Sequence, residues 1–287
     1  MALRKLFFLF LLLMLVMGGG CARQSDKYPI RVMTFNIRLD TPADSLNAWH
    51  YRKEMVASTV RFHKADLLGV QEALWNQMQD LATLLPEYDW LGVGRDDGAR
   101  AGEFMAIFYR KERFQVTDHA TFWLSETPEQ PGRGWDAACN RVVTWAQFRD
   151  RQSRQKFFHF NTHFDHKGSL ARLKSAELLL QQIAGIAQNE SVIVTGDFNS
   201  TPTSEVYQIL TRELTDSKKI SQYPHHGSDG TFTWFDLQNL FNDQPIDYIF
   251  IKNNLKILYH GTLTDTFNGR LPSDHFPVLA EVILNPS

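Results

Sequence analysis

Apolar residues recur in this chain in two rhythms, and the switches between them mark out the elements. Ile30 to Phe35 alternates in the way of a strand, with successive side chains on opposite faces. Met55, Val56, Thr59 and Val60 then return at helical steps, so Tyr51 to His63 reads as a helix, with a short buried strand after it at Leu67 to Val70. Trp75 to Leu85 is a second helix, stopped by Pro86. Strands are expected at Tyr88 to Val93, Met105 to Tyr109, Phe114 to Trp123, Val142 to Phe148 and Phe157 to Asn161. Ser169 is placed to cap a long helix whose Leu173, Ala176, Leu180, Ile183 and Ala187 form one face. A strand at Val192 to Thr195 and a short helix near Glu205 to Leu210 follow. The polar stretch Ser217 to Gly230 reads as an exposed loop, and Thr231 to Phe235, Tyr248 to Ile251, Ile257 to Tyr259 and Val278 to Ile283 close the domain as strands. Strands outnumber helices, and the helices are spaced to cover two sheets from outside, which is a two-sheet sandwich flanked by helices.

The ends of the apolar runs carry the candidate chemistry. Thr34-Phe35-Asn36, Val70-Gln71-Glu72, Asn161-Thr162-His163, Gly196-Asp197-Phe198-Asn199 and Ser273-Asp274-His275 together deliver acids, amides and imidazoles to one rim. Gly196 permits a tight turn, and Asp197 and Asn199, two residues apart, point the same way. Asp247 heads the apolar run Ile246-Asp247-Tyr248-Ile249-Phe250, where a carboxylate is costly without a partner such as His275. Singly, each motif has a plainer reading, as a capped turn or a solvated histidine.

Taken in order, the Thr-Phe-Asn, Gln-Glu, Thr-His, Gly-Asp-Phe-Asn, Ile-Asp-Tyr-Ile-Phe and Ser-Asp-His motifs resemble the endonuclease/exonuclease/phosphatase superfamily from about Arg31 to Ile283. The resemblance implies an α/β fold of the deoxyribonuclease I kind, a four-layered sandwich of two mixed β-sheets flanked by helices. It also implies divalent-metal-dependent hydrolysis of a phosphoester, with Mg²⁺ as the expected ion and Mn²⁺ as the alternative. By the same resemblance Asn36, Glu72 and Asp274 are the metal ligands, hard oxygen donors of the kind Mg²⁺ takes. Asp197, with Asn199, activates or orients the attacking water. His163 and His275 donate to phosphate oxygens, Asp247 keeps His275 charged, and Arg141 of Cys139-Asn140-Arg141 reaches the phosphate. Arg38, Glu103 and Arg172 are secondary candidates for the rim, His166-Lys167 is a candidate to reach a second charged group on the substrate, and Trp49, Trp135 and Trp234 are candidates to stack on a substrate ring. His225-His226 lacks further ligands at useful spacing for a metal site.

Composition narrows the partners. A chain of 287 residues, 43% hydrophobic, suits one catalytic domain over residues 30–287. Before it stand Arg4 and Lys5, an apolar run from Leu6 to Met17, and Gly18-Gly19-Gly20 ahead of Cys21. That run is short of the roughly 20 residues a membrane span needs and reads as a signal peptide over residues 1–20. It resembles a bacterial lipoprotein signal, which would make Cys21 an acylated anchor on a tether over residues 21–29 and the protein a cell-envelope lipoprotein; the alternative is a periplasmic or secreted protein. An acylated Cys21 leaves Cys139 alone, so no internal disulfide is expected. Loss of residues 1–20 takes two from the 30 basic residues, leaving 28 against 32 acidic ones and a formal net charge of −4. Nucleic-acid binders usually carry a basic excess, so a small-molecule phosphoester is at least as well supported as a nucleic acid, acted on by a monomer. A non-catalytic phosphate-binding module would show a missing acid or histidine, and none is missing. A two-carboxylate glycosidase would leave Asn36 and the histidines without a role.

Overall fold

In the first strand, β1 (Ile30–Asn36), Ile30 and Val32 take one face while Met33 and Phe35 take the other, and all four side chains are buried. A strand buried on both faces belongs in the middle of a layered structure. The computed structural model describes residues 28–236, 238 and 244–284, so the expected leader lies outside the described residues. After β1 come α1 (Trp49–Phe62), β2 (Leu67–Ala73), α2 (Trp75–Leu84), β3 (Tyr88–Leu91), β4 (Phe104–Arg110), β5 (Phe114–Trp123), β6 (Val142–Asp150) and β7 (Lys156–His163). The chain continues through α3 (Ser169–Ala187), β8 (Val192–Asp197), α4 (Glu205–Leu210), β9 (Thr215–Asp216), α5 (Ser217–Ile220), β10 (Asp247–Lys252), β11 (Leu255–Thr262) and β12 (Val278–Leu284).

These strands form two six-stranded sheets, ordered β11-β12-β1-β2-β4-β3 and β5-β6-β7-β8-β10-β9. Each has one parallel pair near its centre, β1 with β2 and β7 with β8, and is otherwise antiparallel. Parallel neighbours need a crossover, and α1 and α3 supply them. The helices lie on the outer faces. Met33, Phe35, Leu68 and Val70 pack under α1 and α2, while Phe158, Phe160, Val192 and Val194 pack under α3 and α4. The result is the four-layered α/β sandwich. Among the described residues no helix is long and apolar enough to cross a membrane.

Between the sheets the inward positions change character along the strands. At the closed end Ile30, Val32, Leu67, Phe157 and Ile193 form an apolar layer. One step on, Thr34, Gln71, His159, Asn161 and Thr195 are all buried yet polar. Gln71 Nε2 donates to Asn161 Oδ1 (2.7 Å), Asn161 Nδ2 donates to the carbonyls of Val70 and Ala106 (2.9 Å each), and Thr195 Oγ1 bonds both Asn161 (3.0 Å) and His159 (2.8 Å). This network sews β2 and β4 of one sheet to β7 and β8 of the other. Gly69 makes room for it, since a Cβ there would stand 2.2 Å from Thr195 Oγ1 and 2.5 Å from Asn161 Oδ1. At the open end, the same strands finish in the candidate catalytic residues.

Four local expectations need correction. Thr231 to Phe235 is not a regular strand: Phe232 bridges His275, and Trp234 and Phe235 then turn away at φ 54° and 61°. Ser217 to Gly230 is largely exposed as expected but is not loop throughout, because Asp216 caps α5 by accepting from Lys218 N–H (2.9 Å), and Ser217 and Ser228 are buried. Trp49 begins α1 inside the core and donates to Asp80 (2.8 Å), so it is not available to a ligand. Ser169 does open α3, but the carboxylate that accepts from the first turn belongs to Asp136, 2.6 Å from Ala171 N.

Candidate active site

The C-terminal ends of β1, β2, β7 and β8 meet at one mouth between the sheets, and β10 and the loop before β12 complete it. Asn36 is the hub. Its Nδ2 donates to Glu72 Oε1 and Asp197 Oδ2, each at 3.0 Å, and lies 3.4 Å from His275 Nε2. Asn36 Oδ1 accepts from Arg38 N–H (3.0 Å). Glu72 follows the inward Gln71 and by simple alternation would face outward. A bulge between Val70 and Ala73, with Glu72 at φ 65°, turns it to the mouth instead, where its Oε2 accepts from Leu39 N–H (3.1 Å). Arg52 of α1, wholly buried, holds the neighbouring loop by donating to the carbonyls of Ile37, Arg38 and Pro272.

Two imidazoles flank Asp197 and differ in charge. His275 Nδ1 lies 2.9 Å from Asp247 Oδ2, and its Nε2 stands 3.7 Å from Asp197 Oδ2. Burial alone would lower the His275 pKa, but Asp247, with Asp197 and Asp274, pushes it up to about 10, so the ring is charged. His163 Nε2 accepts from Asn199 Nδ2 (3.1 Å), whose orientation is fixed by a second bond to the Phe164 carbonyl (3.0 Å). Its Nδ1 is buried without a partner, 4.0 Å from Glu103 Oε2. Burial, reinforced by Arg141 and Arg95, holds His163 well below the usual histidine range, so this ring is neutral with its proton on Nδ1. Asp197 itself takes up a proton more readily than an ordinary carboxylate, first because it is buried and then because Asp247 is close. Asn199, at φ 47°, folds its own N–H back onto Asp197 Oδ1 (2.9 Å).

Asn36, Glu72, His163, Asp197, Asn199, Asp247 and His275 form one bonded or ion-paired cluster; Asp274 joins it through Ser273 and Arg38, and Arg141 flanks it and adds to the field on His163. Glu103 pairs with Arg95 (2.6 Å) beside His163, whereas Arg172 is engaged with the Asp165 carbonyl (2.9 Å). Sequence reasoning missed Thr231, which donates to Asp247 (2.6 Å), Ser273, which ties the loop to the Asn36 carbonyl (2.7 Å), and Arg52. Ser273 sat in a quoted motif; nothing local marked Thr231 or Arg52.

The donor set fits a hard divalent cation. Asp274 is buried, and both its burial and the nearby Glu72 charge raise its proton affinity, with Arg38 at 3.8 Å in partial opposition. Crowded carboxylates beside an amide suit an Mg²⁺-like ion. Asp197, Asp247 and His275 also bring donor atoms within 4.8 Å, but that cluster already holds its cation as the imidazolium of His275. Glu72, half-buried and open to the mouth, is the better placed ligand.

Comparison with known proteins agrees with this geometry. A profile of the Endonuclease/Exonuclease/phosphatase family matches residues 33–275. The crystal structure of an endonuclease/exonuclease/phosphatase from Bacteroides vulgatus is 42% identical and superposes with a TM-score of 0.85, covering 90% of this chain and 100% of that one. A mannosyl-6-phosphatase of Bacteroides thetaiotaomicron is 37% identical with a TM-score of 0.84 over 88% of this chain and 99% of that one. Human Nocturnin is 26% identical over 63% of this chain, which spans only 45% of that protein's length.

Proposed function

The chain belongs to the endonuclease/exonuclease/phosphatase family of phosphoester hydrolases, and on that premise we propose that it releases phosphate from a phosphorylated sugar with the help of a divalent cation. The observation that carries the reading is the pair of buried imidazoles that flank Asp197, with His163 Nε2 at 3.4 Å and His275 Nε2 at 3.7 Å from its Oδ2. Asp197 takes the proton of the attacking water, a task its raised proton affinity suits, and Asn199 fixes the carboxylate's orientation. His275 Nε2–H donates to a phosphoryl oxygen on which charge grows, while His163, whose Nε2 lies 3.4 Å from Asp197 Oδ2, walls the other side of the carboxylate. Asp247 keeps His275 charged throughout. Glu72 and Asp274, with Asn36, would hold Mg²⁺ or Mn²⁺, which would supply polarisation of the phosphoryl group and stabilisation of the leaving oxygen.

The sugar is supported by the likeness to the mannosyl-6-phosphatase and by the absence of a basic excess in the chain. Export and a lipid at Cys21 are supported by the basic start, apolar run and small residues before that cysteine. Labelling with a radioactive fatty acid, lost in Cys21→Ala, is the expected result for the anchor. The activity is tested by phosphate release from mannose 6-phosphate, other hexose phosphates, nucleotides and RNA, with Mg²⁺, Mn²⁺ or EDTA. Metal-dependent release from a hexose phosphate, abolished in Asp197→Ala, is expected. Cleavage of RNA with no release from any sugar phosphate would replace this reading with that of a nuclease.

A further inference from the structure

Arg141 lies just before β6, whose register pairs Val143 with Thr162, so the residue stands beside the end of β7 that carries His163. Its side chain is 4% exposed. Two of its three nitrogens are tied: Nε lies 3.3 Å from Asp165 Oδ2, and Nη2 lies 2.9 Å from His166 Nδ1. The third, Nη1, is buried without a partner. A guanidinium has no way to shed its charge at ordinary pH, and a buried N–H left unbonded is costly. The unpaired Nη1 therefore marks a place for an acceptor.

What holds the fork is itself unusually well held. Asp165 Oδ1 accepts from the N–H groups of Lys167 (2.9 Å) and Gly168 (2.7 Å), and Oδ2 accepts from Ala138 N–H (3.0 Å) as well as facing Arg141. These bonds, outweighing burial, hold the Asp165 carboxyl well below the usual range. One carboxylate thus locks the loop after β7 against the loop before β6. Cys139, Asp165 and His166 bring donor atoms within 4.8 Å of one another, but the guanidinium already occupies that set. His166 is exposed, and by accepting at Nδ1 it keeps that nitrogen free of a proton and turns Nε2 outward.

We propose that Asp165 and His166 are positioning residues that hold Arg141 with Nη1 open to the third, anionic oxygen of a terminal phosphate, so that the site prefers a phosphomonoester to a diester. The inference rests on the hydrolase reading above. A diester replaces that oxygen with an ester oxygen bearing carbon, and the arginine would then stay buried and unpaired. Sites built to bond a particular group reject analogues that lack it more strongly than apolar pockets do.

The test compares p-nitrophenyl phosphate with bis(p-nitrophenyl) phosphate, using the full chain with Mg²⁺, and measures inhibition by inorganic phosphate alongside. Arg141→Ala is expected to lower the monoester-to-diester ratio of kcat/KM about 100-fold and His166→Ala about 10-fold. His166→Asn, which places an amide oxygen where Nδ1 lay, should restore most of the ratio. Asp165→Asn, which keeps an acceptor for the backbone but loses the charge, should lower it. In an Arg141→Ala background, His166→Ala should cost nothing further. Equal losses on both esters, or an additive loss in that background, would overturn the proposal. A wild-type protein that hydrolyses neither ester sinks the hydrolase reading instead. Calorimetric binding of inorganic phosphate, weakened about 10-fold by His166→Ala but not by His166→Asn, then decides the positioning role separately.

Discussion

His159 and His275 are both buried in the same space between the sheets, one step apart in the layering, and they carry opposite charge states. His159 meets only neutral partners, Thr195 and through it Asn161, and burial pushes its pKa down to about 3. His275 meets Asp247 and is pushed up to about 10. Burial removes water from both, so it is the partner that sets the charge. The middle layer is neutral and closely bonded and serves to join the sheets. The mouth holds Asp197, Asp247, Asp274 and Glu72 within one field, and the charged imidazole of His275 answers part of that negative charge.

The largest way to break the contrast is Asp197→Ala. Removing a general base costs on the order of 10² to 10⁴ in rate, and a kcat loss near the upper end is expected here. Stability should fall only slightly, because relief of a buried carboxylate crowded by Asp247 offsets the loss of an acceptor for Asn36 Nδ2 and Asn199 N–H. A kcat assay paired with a thermal melt reads both; a large drop in melting temperature would show that Asp197 is structural.

Next in size is Asn161→Ala, which attacks the middle layer. It orphans Gln71 Nε2, Thr195 Oγ1 and two backbone carbonyls together, and buried groups left unbonded cost about 1–3 kcal/mol each. A net loss of about 3 kcal/mol in urea unfolding is expected, with kcat per folded molecule within a few-fold of wild type. A kcat loss matching that of Asp197→Ala would mean that the two layers are not separable.

The third test uses pH on the metal-free protein. For His159 the unfolded chain binds the proton more tightly, so its contribution is complete above the ordinary histidine pKa of about 6.5 and is lost as pH falls toward 3. For His275 the folded state binds more tightly, so stability is complete below about 6.5 and is lost as pH rises toward 10. From pH 7 to pH 5 the His159 effect is about 2 kcal/mol, from 1.36 kcal/mol per unit. His159→Gln should flatten the acid side of the stability profile, and His275→Gln the alkaline side. If both variants flatten the same side, the assigned charges are wrong.

Much of this contrast could be read before the fold was known, and the reasons are local. Strand alternation placed β1, β7 and β8 within two residues of their ends, and short polar motifs at those ends pointed to Asn36, His163 and Asp197. Asp247 and His275 could be paired from the cost of a lone carboxylate entering an apolar strand. What stayed hidden depends on partners far along the chain. Gln71 and Asn161 are 90 residues apart, and nothing near either one says that they bond across the sheets. The bulge that turns Glu72 inward breaks the alternation from which its direction would be inferred. Thr231 looked like part of a strand because Thr-Phe-Thr-Trp-Phe is β-prone, yet its role is to donate to Asp247. The Arg141 fork depends on two loops meeting at Asp165, which neither loop announces.

The smallest expected effect comes from Ser273→Ala, and it sharpens the comparison most finely because the hydroxyl, though 3.3 Å from Asp274 Oδ1, is itself uncharged. Ser273 Oγ donates to the Asn36 carbonyl (2.7 Å) and accepts from His275 N–H (3.3 Å), so one hydroxyl fixes the distance between the end of β1 and the histidine loop. Its loss leaves a buried carbonyl and a buried N–H to find other partners, a cost of about 1 kcal/mol. Neither Asp247 nor His275 is altered, so the alkaline limb of the stability profile should keep the wild-type slope and shift down as a whole. The catalytic loss should be a few-fold and appear in kcat, because the His275 ring would still be charged but less well placed. If Ser273→Ala instead changes the slope on the alkaline side, the charge on His275 depends on loop position as well as on Asp247, and the partner alone does not set it.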